Sequence, residues 1–373
     1  MCIRDRIIGW FKRDFESEGL GKRSWVRPMF LELVWLVGLP LFYLWISRDG
    51  LTGGVPTPAG STTIWFTGYS ILFAFLFVAT FIDFDQRIIP DSITIPGTLI
   101  AIVLAACFPG FRMPIVDNGL IAKTIEPLHY GSAAAMPVWH ITIYGLLAGV
   151  LIAITWSLAL LPKFSLQSLS WGSLKFVFAS TIRFLQKNGL KRRAQTRKLG
   201  QRILITGVVV AILVAIGWSI GGIHWDSLFG AMIGLGFGGM MVWSVRIVAS
   251  HSLGQEALGF GDVTLMAMIG AFLGWQPSLI VFALSPFAAL AIVVASMIFT
   301  KENELAFGPY LCLGAVICIF WWPAIWPMAR FQFFQYPLIL LGVLAVSLVM
   351  LAVMMLGIRV VKGGGYEDEV EEN

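Results

Sequence analysis

A chain of 373 residues that is 58% hydrophobic and 13% charged, with a mean hydropathy of +0.83, carries about half the charge of a soluble globular protein. That excludes the soluble class and leads to an all-α fold, a polytopic transmembrane helix bundle of about eight to ten spans. The net charge of +5 is no argument for nucleic acid, because in so apolar a chain the placement of basic residues sets topology, and no nucleic-acid partner is inferred.

Residues 1 to 28 are polar and hold seven Lys or Arg, with no signal-peptide pattern, so they are expected on the cytoplasmic side. The opening Met-Cys-Ile-Arg-Asp-Arg looks like translated adapter sequence, and the native start is expected to differ. Apolar stretches able to span ~30 Å of hydrocarbon then recur at 29 to 47, 63 to 82, 92 to 108, 140 to 161, 203 to 221, 228 to 248, 263 to 275, 278 to 299, 310 to 322 and 336 to 358. The seventh and ninth are short and read as half-helices or as tilted neighbours. With the N-terminus inside, 22 of the 26 basic residues fall on the cytoplasmic side and four outside, which favours that orientation.

Five regions follow: the segment 1 to 28; membrane helices over 29 to 162; a basic insert over 163 to 202; membrane helices over 203 to 358; and an acidic tail over 359 to 373, expected to be disordered from Gly363 onward. The insert has ten basic residues, no acidic one, and ends in Lys191-Arg192-Arg193. Its apolar rhythm reads as an amphipathic helix on the anionic lipid of the inner leaflet, or more plainly as a positive-inside anchor. The four cysteines form no Cys-x-x-Cys pair and read as small buried hydrophobes, so neither a disulfide framework nor a metal site is expected. Trp225, within His224-Trp225-Asp226, reads as an interfacial anchor on the outer side.

Two acids stand out because an ionisable group at the edge of an apolar span is costly to hold there. Asp262 follows Gly259-Phe260-Gly261 and opens a span, the glycines leaving room for a close backbone approach. Asp83 closes the second span. Asp85 reads as a loop acid, and Asp91, after Pro90, as a helix cap. Two carboxylates brought together share a proton, one serving as base on a water and the other as hydrogen-bond donor to a carbonyl. The helix dipole favours an anion at Asp262 and opposes one at Asp83, so Asp262 is expected to be the base and Asp83 the acid. Phe307-Gly308-Pro309 reads as a substrate-positioning edge or as a helix start with Pro in its first turn.

Asp83, Pro90-Asp91 and Thr94, followed by Gly259-Phe260-Gly261-Asp262-Val263 and by Ala306-Phe307-Gly308-Pro309-Tyr310-Leu311, together resemble the type IV prepilin leader peptidases, the Gly-x-Gly-Asp class of membrane aspartyl proteases. The resemblance covers roughly 65 to 110 and 228 to 320. It implies a catalytic pair at Asp83 and Asp262, with Gly259, Gly261, Phe307, Gly308 and Pro309 positioning the substrate and no metal. The implied reaction removes the basic leader of prepilins of type IV pili, or of pseudopilins of type II secretion, at the cytoplasmic face of a bacterial inner membrane. Many members also N-methylate the new terminus with S-adenosylmethionine, a cofactor expected here only if that activity is retained. The family's paired Cys-x-x-Cys domain is missing from this sequence, which argues for cleavage without methylation, and its usual Lys after Gly-x-Gly-Asp-Val is Thr264. The rival readings are a proton-coupled membrane transporter, whose acids would lie mid-span in repeated halves, and a non-catalytic scaffold of a secretion system.

Overall fold

The structure is a computed structural model that describes residues 26–57, 60–118, 123–127, 138–160, 190–253, 258–299 and 307–330, with isolated positions between 334 and 350. Residues 1–25, most of the basic insert, the tenth expected span and the acidic tail lie outside the described residues.

The fold is all-α. Ten helices are described: α1 (Val26–Ser47), α2 (Ser61–Gln86), α3 (Asp91–Cys107), α4 (Ile143–Ala159), α5 (Leu190–Ile220), α6 (Gly222–Leu253), α7 (Phe260–Leu273), α8 (Trp275–Phe299), α9 (Gly308–Phe320) and α10 (Trp322–Ala329). The first nine overlap the first nine of the ten expected apolar stretches. Among the described residues, Ser61–Phe84 and Gly222–Ser252 are each long and apolar enough to cross a membrane, and α9 with α10, bent by 89° at their junction, qualify as a broken span or re-entrant loop. The apolar stretches of the other helices, such as Ile205–Ile220 within α5, are shorter. At ~1.5 Å per residue, the 14 residues of α7 reach only about 21 Å, so α7 has the length of a half-helix.

Three boundaries differ from expectation. α2 runs on past residue 82 to Gln86, which puts Asp85 in the helix and not in a loop. The chain then turns because Arg87 adopts the left-handed region (φ 55°, ψ 31°) and its N–H donates to the Asp83 carbonyl at 2.8 Å, a C-terminal stop of the αL type. The basic residues from Lys191 to Arg202 continue in the same uninterrupted helix as Ile205–Ile220, so this part of the insert extends a span. Between α3 and α4 the chain forms an antiparallel hairpin, β1 (Pro114–Asn118) with β2 (Lys123–Pro127), in register Val116 to Ile125.

The packing centre is the α6–α7 pair. Gly230, Gly234 and Gly238 recur at intervals of four on α6, a small-residue stripe that lets helix backbones meet. A side chain on Gly234 would run into the Gly270 carbonyl of α7, and one on Gly238 would lie 2.6 Å from the Met266 carbonyl. α7 is buried over its whole length from Asp262 to Leu273. α3 packs on both α6 and α7, while α9 lies between α2 and α8. The two acidic helix ends are thereby drawn to one end of the bundle.

The opposite end is sealed by polar contacts. Trp225 is buried: its indole N–H donates to the His140 carbonyl at 2.7 Å and its ring lies beside Phe229. It is therefore a core residue and not the expected interfacial anchor. Asp226 pairs with His140 Nε2 at 2.8 Å, and His224 Nδ1 lies 2.8 Å from the Ala106 carbonyl. Trp322 Nε1 donates to the Pro114 carbonyl at 2.7 Å, tying α10 to the hairpin. Of the described cysteines, Cys312 and Cys318 are buried as expected, whereas Cys107 is exposed.

Candidate active site

Asp83 reaches the site from the last turn of α2, and Asp262 from the first turn of α7. Both are buried, at 5% and 8% exposure, and both line one cavity of about 510 Å³. Their charges are close enough to interact. The cavity wall continues through Arg87 to Asp91, Leu258 to Gly261, and Phe307.

Each carboxylate meets a helix N-terminus. Gly259 is the N-cap of α7 and Asp262 its third residue, so the Asp262 side chain folds back to accept from the Gly259 amide, one half of a capping box. Asp83, although it ends its own helix, accepts from the amide of Gly308, the first residue of α9. Its Oδ2 is buried and has no partner among the described residues. The α9 dipole thus offsets the unfavourable end of α2. Sequence alone showed only the latter.

The two motif glycines have different surroundings. A Cβ on Gly261 would lie 2.8 Å from Ile89 Cβ and 2.9 Å from the Ile89 carbonyl oxygen, so Gly261 permits contact between the start of α7 and the turn after α2. Gly259 is exposed, and a Cβ there would meet Asp262 Oδ2 at 3.6 Å and the Gly261 nitrogen at 3.9 Å, both ordinary contacts. It leaves an open approach to the carboxylate.

Phe307 lines the cavity and Gly308 touches Asp83, whereas Pro309 is buried in the first turn of α9 and is not part of the cavity wall. Asp91 is not a cap: Pro90 holds the N-cap position of α3 without a side-chain hydrogen bond, and Asp91 is an exposed residue in the first turn at the cavity edge. Thr264 is fully buried and its hydroxyl donates to the Gly261 carbonyl at 3.0 Å, an enclosed site that suits Thr better than a lysine. Two residues that the motifs did not indicate complete the surroundings. The Cys312 thiol hydrogen-bonds with Thr80 within electrostatic range of both aspartates, and Arg246 on α6 acts on Asp262. Among the described residues no group of three or more His, Cys, Asp or Glu side chains is placed to hold a metal ion.

Fold and site together define a multi-pass helical membrane protein with a buried aspartate pair facing a common cavity. Residues 194–294 match the model of the type IV leader peptidase family. The match includes Gly259, Gly261 and Asp262, while Asp83 and Phe307 to Pro309 lie outside it. Over 111 residues the chain is 32% identical to a prepilin leader peptidase/N-methyltransferase of Aeromonas hydrophila, covering 28% of this chain and 37% of that protein. Over 99 residues it is 39% identical to the prepilin leader peptidase/N-methyltransferase of Pectobacterium carotovorum subsp. carotovorum, covering 24% and 32%. Over 97 residues it is 38% identical to the leader peptidase HopD of Escherichia coli, covering 25% and 59%. The matched region spans about a third of the length of the first of these relatives. No solved structure matches.

Proposed function

We propose that the protein is a membrane aspartyl endopeptidase that removes the basic leader from type IV prepilins or type II pseudopilins, with Asp83 and Asp262 as its catalytic pair. The observation that carries this is the meeting of the two acids, from helices remote in sequence, at one cavity beside the Gly-x-Gly-Asp turn. The cavity opens at the dyad end of the bundle, and the distribution of basic residues favours the cytoplasmic side for that end. There the substrate's apolar helix meets its leader.

Asp262 serves as the base. It lies in the first turn of α7, where the helix dipole favours an anion, and the open approach at Gly259 admits the water it would deprotonate. Asp83 serves as the acid. Its unpartnered Oδ2 is where the shared proton resides, ready to donate to the scissile carbonyl as water attacks the carbon. Collapse of the tetrahedral intermediate transfers a proton to the leaving amine and returns the pair to its starting state. The transporter reading fits less well, since it calls for acids at mid-span and these two stand at helix ends.

The product is released without N-methylation, and the basic extension of α5 together with the insert contacts anionic lipid of the inner leaflet. One experiment tests the reaction. The chain is co-expressed with a prepilin in cells lacking other leader peptidases, and the product is weighed. A mature chain without its leader and without added methyl mass is the expected result. An intact leader overturns the protease reading, whereas a trimmed and methylated chain overturns only the second part.

A further inference from the structure

Arg246 belongs to none of the sequence motifs, yet it contacts both sides of the turn that carries Asp262. From near the C-terminal end of α6, its Nε donates to the Leu258 carbonyl at 2.8 Å, and its guanidinium carbon lies 5.8 Å from the centre of the Phe260 ring. Leu258 and Phe260 bracket Gly259, the residue whose amide supports the Asp262 carboxylate. The turn has glycine at both 259 and 261, so it has unusual backbone freedom and gains most from an external tether. An arginine suits this task because its planar head can bond a carbonyl along one edge while stacking on a ring.

We infer that Arg246 is a positioning residue of the active site: it clamps the Leu258–Gly261 turn onto α6 and holds a positive charge beside the aspartate pair, so that Asp262 stays aimed into the cavity. This rests on the proposed protease function for its kinetic part but not for its structural part. The other charged or titratable groups facing Asp262 are the Asp83 carboxylate from α2, the Cys312 thiol from α9, and Arg87 and Asp91, which line the same cavity. Arg246 differs from Arg87 in that it bonds the carbonyl of the turn that carries Asp262.

The test compares Arg246→Lys, Arg246→Met and Arg246→Gln in the full-length protein, purified in detergent and scored only on the monodisperse fraction. Two readouts are taken: prepilin cleavage, separated into kcat and KM, and amide hydrogen exchange across 258–262. The Met and Gln variants should lose about 100-fold in kcat with KM unchanged, the size of effect that misplacing a catalytic group produces. Lys, which keeps the charge but not the fork, should recover about tenfold of that loss. Exchange in the turn should accelerate in Met and Gln and less so in Lys. The inference is overturned if the Met variant keeps kcat within threefold of the wild type and unchanged protection, or if Lys and Met are equally impaired in both readouts. If the wild type cleaves no prepilin, the exchange comparison still decides the clamp, and the protease reading falls separately.

Discussion

Gly308 stands against Asp83: a methyl group built on Gly308 would lie 2.5 Å from Oδ2 of Asp83 and 2.7 Å from Cδ1 of Ile89, while its amide hydrogen-bonds the same carboxylate. Neither neighbour moves freely, since one is buried and the other closes the turn after α2. Gly308→Ala should therefore rotate or displace the carboxylate and lower kcat by about 100-fold. Pro309→Ala, in the same helix turn but off the cavity wall, should retain most activity. Prepilin cleavage by the two purified variants checks both.

The motif glycines should separate in the same way. Gly261→Ala brings a methyl group within 3 Å of two Ile89 atoms and should slow cleavage by at least tenfold, because the start of α7 must retreat from the turn bearing Asp83. Gly259→Ala meets nothing closer than 3.6 Å and has an ordinary extended backbone (φ −69°, ψ 151°), so folding should be unaffected. Any loss there should appear in KM, as it would if the substrate backbone passes over Gly259. Steady-state kinetics on a prepilin peptide distinguish the two patterns.

The helices and their approximate order were legible because runs of apolar residues without charge leave few alternatives in a membrane protein. Asp83 and Asp262 were legible because an acid at the end of such a run stands out against its background. Which face of each helix turns inward was not, because lipid and protein interior are equally apolar: the two sides of α2 look alike in sequence, and nothing marks α7 as enclosed on all sides. Trp225 shows the consequence: an aromatic near a span end suits an interfacial belt and a core equally well, and only the His140 carbonyl beside its indole decides for the core. Arg246 was hidden for another reason. A basic residue near the end of a span is explained by topology alone, so nothing in the sequence asked for a second role. The hairpin at Pro114–Pro127 lay in a loop too short on apolar residues to register as an element.

The glycine stripe on α6 offers a stability test independent of chemistry. Gly234→Leu forces a side chain into the Gly270 carbonyl, and Gly238→Leu places one about 2.6 Å from the Met266 carbonyl, so either must push α6 and α7 apart. Overpacking of this kind costs about 1–3 kcal/mol, and more where the obstacle is backbone. Both variants should show lowered thermal midpoints in detergent. Gly38→Ala on α1, with nothing within 4 Å, is the control and should raise stability by about 0.5–1 kcal/mol through helix propensity.

Asp83→Asn and Asp262→Asn should each abolish leader cleavage while leaving membrane insertion and thermal stability near wild type. Asparagine is nearly isosteric with aspartate, and a neutral amide is cheaper than a carboxylate to keep in a buried site, so the bundle loses nothing by the exchange. What it loses is acid–base capacity. At position 262 the amide cannot take a proton from water, and at 83 it cannot hold the exchangeable proton that the unpartnered oxygen would carry. Asp91→Asn should retain most activity, because Asp91 is exposed and makes no capping bond, and Asp85→Asn should do the same. A chelator added to the wild type should change the rate little, which separates a carboxylate pair from two aspartates holding a metal. The readout is leader removal, followed by mass, for the four variants and the chelated enzyme. Normal cleavage by Asp83→Asn together with a dead Asp85→Asn would move the acid by half a helix turn, and normal cleavage by both Asp83→Asn and Asp262→Asn would remove the protease from the protein altogether.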